Sequence, residues 1–141
     1  MKVAFVTSIC VPFDAISGIV RQCVLWAEEA GHETLLFAHD SAFDDLATVR
    51  VRTAAEVVTH PFYRSADVVV LDPPRTGAGR KVVDAVAALQ APRVVYVACD
   101  PAALARDIAY FAKHGYAVES ITGYDLFPHT HHVEAVAVLT R

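Results

Sequence analysis

A chain of 141 residues is long enough for one domain with a full core and too short for two. With 55% hydrophobic and 20% charged residues, its composition excludes a disordered chain. A formal net charge of −4 at pH 7 excludes a surface that holds nucleic acid by overall charge, leaving only a local basic patch for that purpose.

In chain order, apolar β-branched runs alternate with helical patterns, the signature of an α/β domain with a mostly parallel sheet. Lys2 to Ile9 is a first strand, apolar on both faces. Gly18 to Ala30 is helical, with Ile19, Cys23, Trp26 and Ala30 as its expected buried stripe and Gly31 as its stop. Glu33 to Ala38 is a second strand, closed by His39 and Asp40, and Val49 to Arg52 a short third. Thr53 to Glu56 has the form of a capping box for a short helix that Pro61 ends. Asp67 to Leu71 is a fourth strand, Lys81 to Leu89 a helix, and Arg93 to Ala98 a fifth strand. Asp100 is placed as an N-cap and Pro101 at the first helical position, with Leu104, Ile108 and Phe111 on the buried side and Gly115 at the end. Ala117 to Ile121 and Glu134 to Leu139 complete seven strands.

The last connection decides the topology. A parallel neighbour needs a crossover of a dozen or more residues, usually a helix. Thr122 to Val133 has no helical period, so the seventh strand is expected antiparallel to the sixth. Ligands in open parallel sheets bind beyond the strands' C-terminal ends. Asp40, Asp72 and Cys99 fall at such ends, and Glu134 opens a strand running the other way, so all four are expected at one edge.

Cys10, Cys23 and Cys99 are an odd, scattered set without CxxC spacing, which suits a reducing compartment and not a disulfide framework. MKVAFVTSIC lacks a signal-peptide cleavage pattern, and no apolar run is long enough to span a bilayer, so the expected location is cytoplasmic. Cys99 reads either as a small core residue or as a nucleophile whose thiolate the following helix favours and the Asp100 carboxylate opposes. Glu134, flanked by Val133 and Val136, reads either as a solvated strand-end charge or as a partly desolvated general base. LDPPRTGAGRK is no phosphate loop, since Gly79 is followed by Arg80-Lys81-Val82; as a rigid turn it sets Asp72 and Arg75 at the ligand edge. HTHHVE lacks the spacing of a helical or finger site, so no metal is expected.

DPPRTGAG, VVYVACDPAALARD and FPHTHHVE stand in the order and approximate spacing of the RNA (uracil-5-)-methyltransferases, whose catalytic domain's C-terminal half Ala66 to Arg141 resembles. The resemblance implies a Rossmann-like methyltransferase sheet of order 3-2-1-4-5-7-6, S-adenosylmethionine as cofactor and a tRNA or rRNA uridine as substrate. It implies Cys99 as the nucleophile on uracil C6, Glu134 as the base for the C5 proton, and Asp72 at the cofactor site. Asp40 is a cofactor candidate by fold position alone; Arg75 and His131 are the expected substrate contacts. The sequence departs from the family's usual residues at Ala98 (serine), Ala103 (threonine) and His129 (glutamine), and the loss of two hydroxyls is expected to loosen the cysteine loop. The family's OB-like domain and iron–sulfur cysteines are not represented.

MKVAFVTSI, the Ser-Gly-Ile helix start, AEEAGHE and HPFYRSADVVV resemble instead the N-terminal domain of GT-B glycosyltransferases. The chain is thus expected to be one α/β domain in two halves, 1–70 and 71–141, joined within the strand Asp67 to Leu71. Ser8 to Gly18 offers Pro12, Phe13 and Ile16 where a methyltransferase has a glycine-rich turn, so weak cofactor binding is expected. Other readings are a non-catalytic chimeric nucleotide-binding domain, a glycosyltransferase-like acceptor domain, and a Cys-His hydrolase using His131 or His132.

Overall fold

Strands that are apolar on both faces need cover on both, and helices between parallel strands supply it. A computed structural model describes residues 1–10, 15–41, 46, 48–50, 56, 59–125, 129 and 133–141. The elements are β1 (Lys2–Cys10), α1 (Ala15–Glu29), β2 (Glu33–Ser41), β3 (Thr48–Arg50), a 3-10 turn (Tyr63–Ser65), β4 (Val68–Asp72), α2 (Gly79–Ala87), β5 (Arg93–Ala98), α3 (Pro101–Lys113), β6 (Ala117–Tyr124) and β7 (Glu134–Thr140). The strands form one seven-stranded sheet of order β3-β2-β1-β4-β5-β7-β6, as expected. β1 to β5 pair in parallel, and β7 runs antiparallel to both β5 and β6.

Alternation along the strands divides the core into two layers. Ala4, Val69, Leu71, Val94, Tyr96, Ala137 and Leu139 pack with Val83 and Val86 of α2 and Leu104 and Phe111 of α3. Val3, Phe5, Leu36 and Ala38 face the other way, toward Val24 of α1. The expected stripe on α1 is rotated. Trp26 is 60% exposed, while Val24 is buried and Val20, Cys23 and Ala27 pack beside it. Val20, Cys23, Val24 and Ala27 meet the same i, i+3, i+4, i+7 spacing with smaller side chains, which lets the helix approach the sheet. The side chain of Ile19 lies outside the described residues.

Several ends differ from the sequence reading. α1 starts at Ala15 and not Gly18, β2 runs on to Ser41, β4 to Asp72 and β6 to Tyr124. α2 begins at Gly79, two residues before Lys81, and leaves helical pairing after Ala87. Most of the expected Thr53–Glu56 capping box lies outside the described residues. α3 closes as anticipated. Gly115 takes φ +86°, its N–H bonds Ala112 O at 3.1 Å, and the Tyr116 N–H bonds Phe111 O at 3.2 Å. That is a Schellman closure, and the Phe111 and Tyr116 rings seal it edge to face with centroids 5.5 Å apart.

Phe111 is fully buried at this closure, so Phe111→Ala should cost about 3–5 kcal/mol in urea unfolding. Ile121, more than half exposed on β6, should tolerate Ile121→Thr within about 0.5 kcal/mol.

Candidate active site at the strand ends

β5 ends at Ala98 and α3 begins at Pro101, leaving Cys99 and Asp100 to turn the chain. Asp100 caps the helix as its sequence position suggested: its Oδ1 accepts from Ala103 N at 2.8 Å, and Pro101 occupies the first helical position. The capping bond commits that carboxylate to the helix. Cys99 is free and partly buried.

The β5–β7 register brings the second reactive group to it. Arg93 pairs with Thr140, Val97 with Val136 and Ala98 with Ala135. The ladder ends at that last pair, so Cys99, which follows Ala98, and Glu134, which precedes Ala135, both stand at its end. On its other side Glu134 pairs with Tyr124 of β6. Cys99 and Glu134, distant in sequence, are thereby neighbours.

The electrostatics of the thiol record the same convergence. Burial pushes the Cys99 thiol above its ordinary value, and the Glu134 carboxylate adds to the rise. Its own backbone amide and the Arg75 guanidinium pull it down, while Asp72 pushes it up. The carboxylates opposing the thiolate are therefore Glu134 and Asp72, where the sequence had suggested Asp100. Asp72 ends β4 beside β1, where Thr7 Oγ1 donates to its Oδ2 at 3.1 Å. The Cys23 thiol of α1 is also raised, first by burial and then by Asp72, so α1 borders the same end of the sheet.

Asp72 stands where the sheet order reverses direction, between β1 and β4, the crevice in which open α/β sheets take ligands. Its half-buried carboxylate fits a ligand carrying positive charge. Asp40 lies on β2 in register with Ile9 of β1, which puts its backbone at the same edge. The Asp40 side chain, residues 11–14 and His131 lie outside the described residues. Among the described residues, no three His, Cys, Asp or Glu side chains are grouped as a metal site requires.

Sequence reasoning missed the group that holds the Asp72–Arg75 turn. Asp107 of α3 is fully buried. Its Oδ2 accepts from Tyr96 Oη at 2.6 Å, Ala78 N at 2.7 Å and Gly79 N at 3.2 Å. Its Oδ1 accepts from Arg106 Nε at 3.0 Å and Nη2 at 2.9 Å. α2 has no cap from its own N-terminal side chain, and Asp107 supplies one from another helix. The short local sequence Ala-Arg-Asp carries no sign of partners this far away; only the missing cap at Ala78 hinted at one.

Two consequences for the thiol can be measured. Alkylation of Cys99, resolved by peptide mass spectrometry, should rise with pH through a midpoint above that of an unperturbed cysteine. Glu134→Gln removes the main opposing charge, so it should lower that midpoint and speed alkylation at pH 7.5 roughly two- to fivefold.

Comparisons with known proteins accord with this geometry. The family model for tRNA (Uracil-5-)-methyltransferase matches residues 45–141. An uncharacterized RNA methyltransferase of Streptomyces avermitilis is 59% identical over 73 residues, covering 52% of this chain and 17% of its own. One from Listeria monocytogenes is 36% identical over 139 residues, covering 89% of this chain and 31% of its own. The crystal structure of Pyrococcus abyssi tRNA (uracil-54, C5)-methyltransferase in complex with S-adenosyl-L-homocysteine superimposes with a TM-score of 0.69 at 25% identity, covering 96% of this chain and 33% of that one. The chain thus spans a third or less of the length of these relatives. The family match starts well before the join inferred at Asp67 to Leu71, and the Listeria alignment takes in most of the N-terminal half. The glycosyltransferase resemblance of residues 1–70, and the chimera built on it, therefore find no support. The chain belongs to the tRNA (uracil-5-)-methyltransferase family.

Proposed function

We propose that this chain carries the catalytic site of an S-adenosylmethionine-dependent RNA uracil-5 methyltransferase, forming 5-methyluridine in tRNA or rRNA. The observation that supports the reading is that the β5–β7 ladder ends next to a free, partly buried cysteine on one strand and a carboxylate on the other, with that carboxylate raising the thiol's pKa. A nucleophile and a base side by side are what substitution at C5 of a pyrimidine requires, since C5 becomes nucleophilic only after addition at C6.

The steps balance as follows. The Cys99 thiolate adds to C6, forming an S–C6 bond and moving an electron pair to C5 and O4. S-adenosylmethionine, when bound, would supply an electrophilic methyl group to C5, its sulfonium S–CH3 bond breaking to leave S-adenosylhomocysteine. Glu134 then removes the C5 proton. The released pair restores the C5–C6 double bond and expels the Cys99 sulfur as thiolate. Asp72, half-buried at the β1–β4 crevice, is the group of this chain best suited to hold the cationic cofactor, with Asp40 as a second carboxylate at that edge. Arg75 and His131 are assigned to the RNA. One continuous sheet running through both halves supports treating residues 1–141 as a single domain. Among the described residues no helix is long and apolar enough to cross a membrane, which is compatible with a cytoplasmic RNA substrate.

RNA carrying 5-fluorouridine should form a covalent adduct with the protein in the presence of S-adenosylmethionine, seen as a mass increase, and Cys99→Ala should abolish it. With ordinary uridine, Glu134→Gln should allow methyl transfer but trap the adduct, because the C5 proton has no acceptor. No adduct at any RNA concentration, with both substitutions altering only stability, would refute the reading and leave a non-catalytic nucleotide-binding sheet.

The cofactor assignment is tested separately by calorimetry. Asp72→Ala should weaken S-adenosylmethionine binding about tenfold or more, a loss of about 1.4 kcal/mol. Equal affinities for the two proteins would remove Asp72 from the cofactor site.

A further inference from the structure

The segment between Asp72 and α2 is short of regular structure, yet several polar groups of its backbone past Arg75 are held. Gly77 N–H closes a turn onto Pro74 O at 2.7 Å, which sets Arg75 and Thr76 as the two central turn residues. Arg106 Nη2 donates to Thr76 O at 2.7 Å. The next two amides, of Ala78 and Gly79, both reach Asp107, and Ala78 N also reaches Tyr96 Oη at 3.0 Å. Gly77 has φ +80°, and a Cβ there would lie 2.5 Å from Arg106 Nη2 and 2.6 Å from Asp107 Oδ2. The turn is packed directly against the pair that anchors it.

Asp107 and its partners also belong to the elements that carry the cysteine. Tyr96 lies on β5, three residues before Cys99, and Asp107 and Arg106 lie on the helix that starts just after it. A single buried carboxylate thus joins the Cys99 turn to the Arg75 turn through strand, helix and loop.

We propose that Asp107, acting through Tyr96 and Arg106, is the positioning residue that fixes the Arg75 guanidinium beside the Cys99 turn. The proposal rests on the reading of Cys99 as the nucleophile, and it adds a device which that reading does not contain. Arg75 is itself exposed and long, so its average position depends on its backbone. Closing the turn onto Pro74 and holding Thr76 O restrain the backbone on both sides of Arg75, which reduces the freedom that would let the charge drift from the sulfur. Tyr96 is well placed to serve: it is fully buried, and burial first, then its bond to Asp107, push its phenol far above the ordinary range, so it stays a hydrogen-bond donor at every working pH.

The groups that bear on the Cys99 charge are Glu134 from β7 and Asp72 and Arg75 from the end of β4, so the thiol reports whether Arg75 is in place. The test is a double-mutant cycle read by the pH profile of Cys99 alkylation in the full chain at low salt, with peptide mass spectrometry separating Cys99 from Cys10 and Cys23. Asp107→Asn and Arg75→Gln should each move the midpoint upward and slow alkylation at pH 8 roughly two- to threefold. The double variant should be no slower than either single, because both remove the same charge. The slowing should fade in 1 M salt. Tyr96→Phe, which keeps the packing and deletes one donor to Asp107, should show a smaller shift in the same direction, and it decides the matter if Asp107→Asn does not fold. Folded variants with an unchanged profile, or a double variant slowed by the product of the two singles, would overturn the proposal. If no RNA adduct forms while the coupling persists, the methyltransferase reading fails and the positioning role stands.

Discussion

The antiparallel return of β7 is the constraint on which the site depends. In a purely parallel sheet all strands start at one edge and finish at the other, so a residue that opens a strand cannot meet one that closes its neighbour. Reversing one strand breaks that separation. β7 enters between β5 and β6 with its start beside the end of β5, where Ala135 pairs with Ala98, so Glu134 and Cys99 come to one edge of the sheet. Glu134 opens one ladder strand and Cys99 follows the last residue of the other, and the core beneath them, Tyr96, Ala137 and Leu139, fixes the register because a one-residue slip would turn these side chains to the wrong face.

The polar arrangement around this pair has a consistent logic. Three carboxylates near the strand ends have structural partners: Asp100 caps α3, Asp72 accepts from Thr7, and Asp107 is saturated by five donors. Partnered groups do not wander toward the sulfur, and burying Asp107 without those donors would cost several kcal/mol. The site is therefore built from side chains whose positions are set by something other than their reaction. Burial and its bond to Asp107 push the Tyr96 phenol far above the ordinary range, and arginine keeps its proton throughout, so both donors stay protonated while the cysteine titrates.

What the sequence made legible was whatever repeats or punctuates locally. The strand runs, the Asp100-Pro101 start of α3, its Gly115 stop and the reversed last strand all follow from residues within one element or one connection. The α1 stripe was misread because two sets of positions share the helical period, and only the space against the sheet selects Val24 over Trp26. Asp107 was invisible for another reason. In sequence it is a charged residue beside an arginine on a helix, the usual look of a solvated face. Its partners are Tyr96, Ala78 and Gly79, and nothing local marks them as a set. The reversed last strand already set Cys99 and Glu134 at one edge; the motif resemblance added the roles the two residues would play.

β6 ends the sheet and is exposed along its whole length, with Val118, Ile121 and Tyr124 among its uncovered side chains. Its pairing with β7 slips between Val118 and Ser120, so Glu119 is an unmatched residue, and its carboxylate reaches back across β7 to Arg93 of β5 at 3.0 Å. An open edge of this composition is a template on which a second extended chain could stack. The slip spoils that template: donors and acceptors on the outer side lose their even spacing midway, and the strand is twisted locally there. A bulge of this kind is one of the ways an exposed sheet edge is blunted against edge-to-edge pairing.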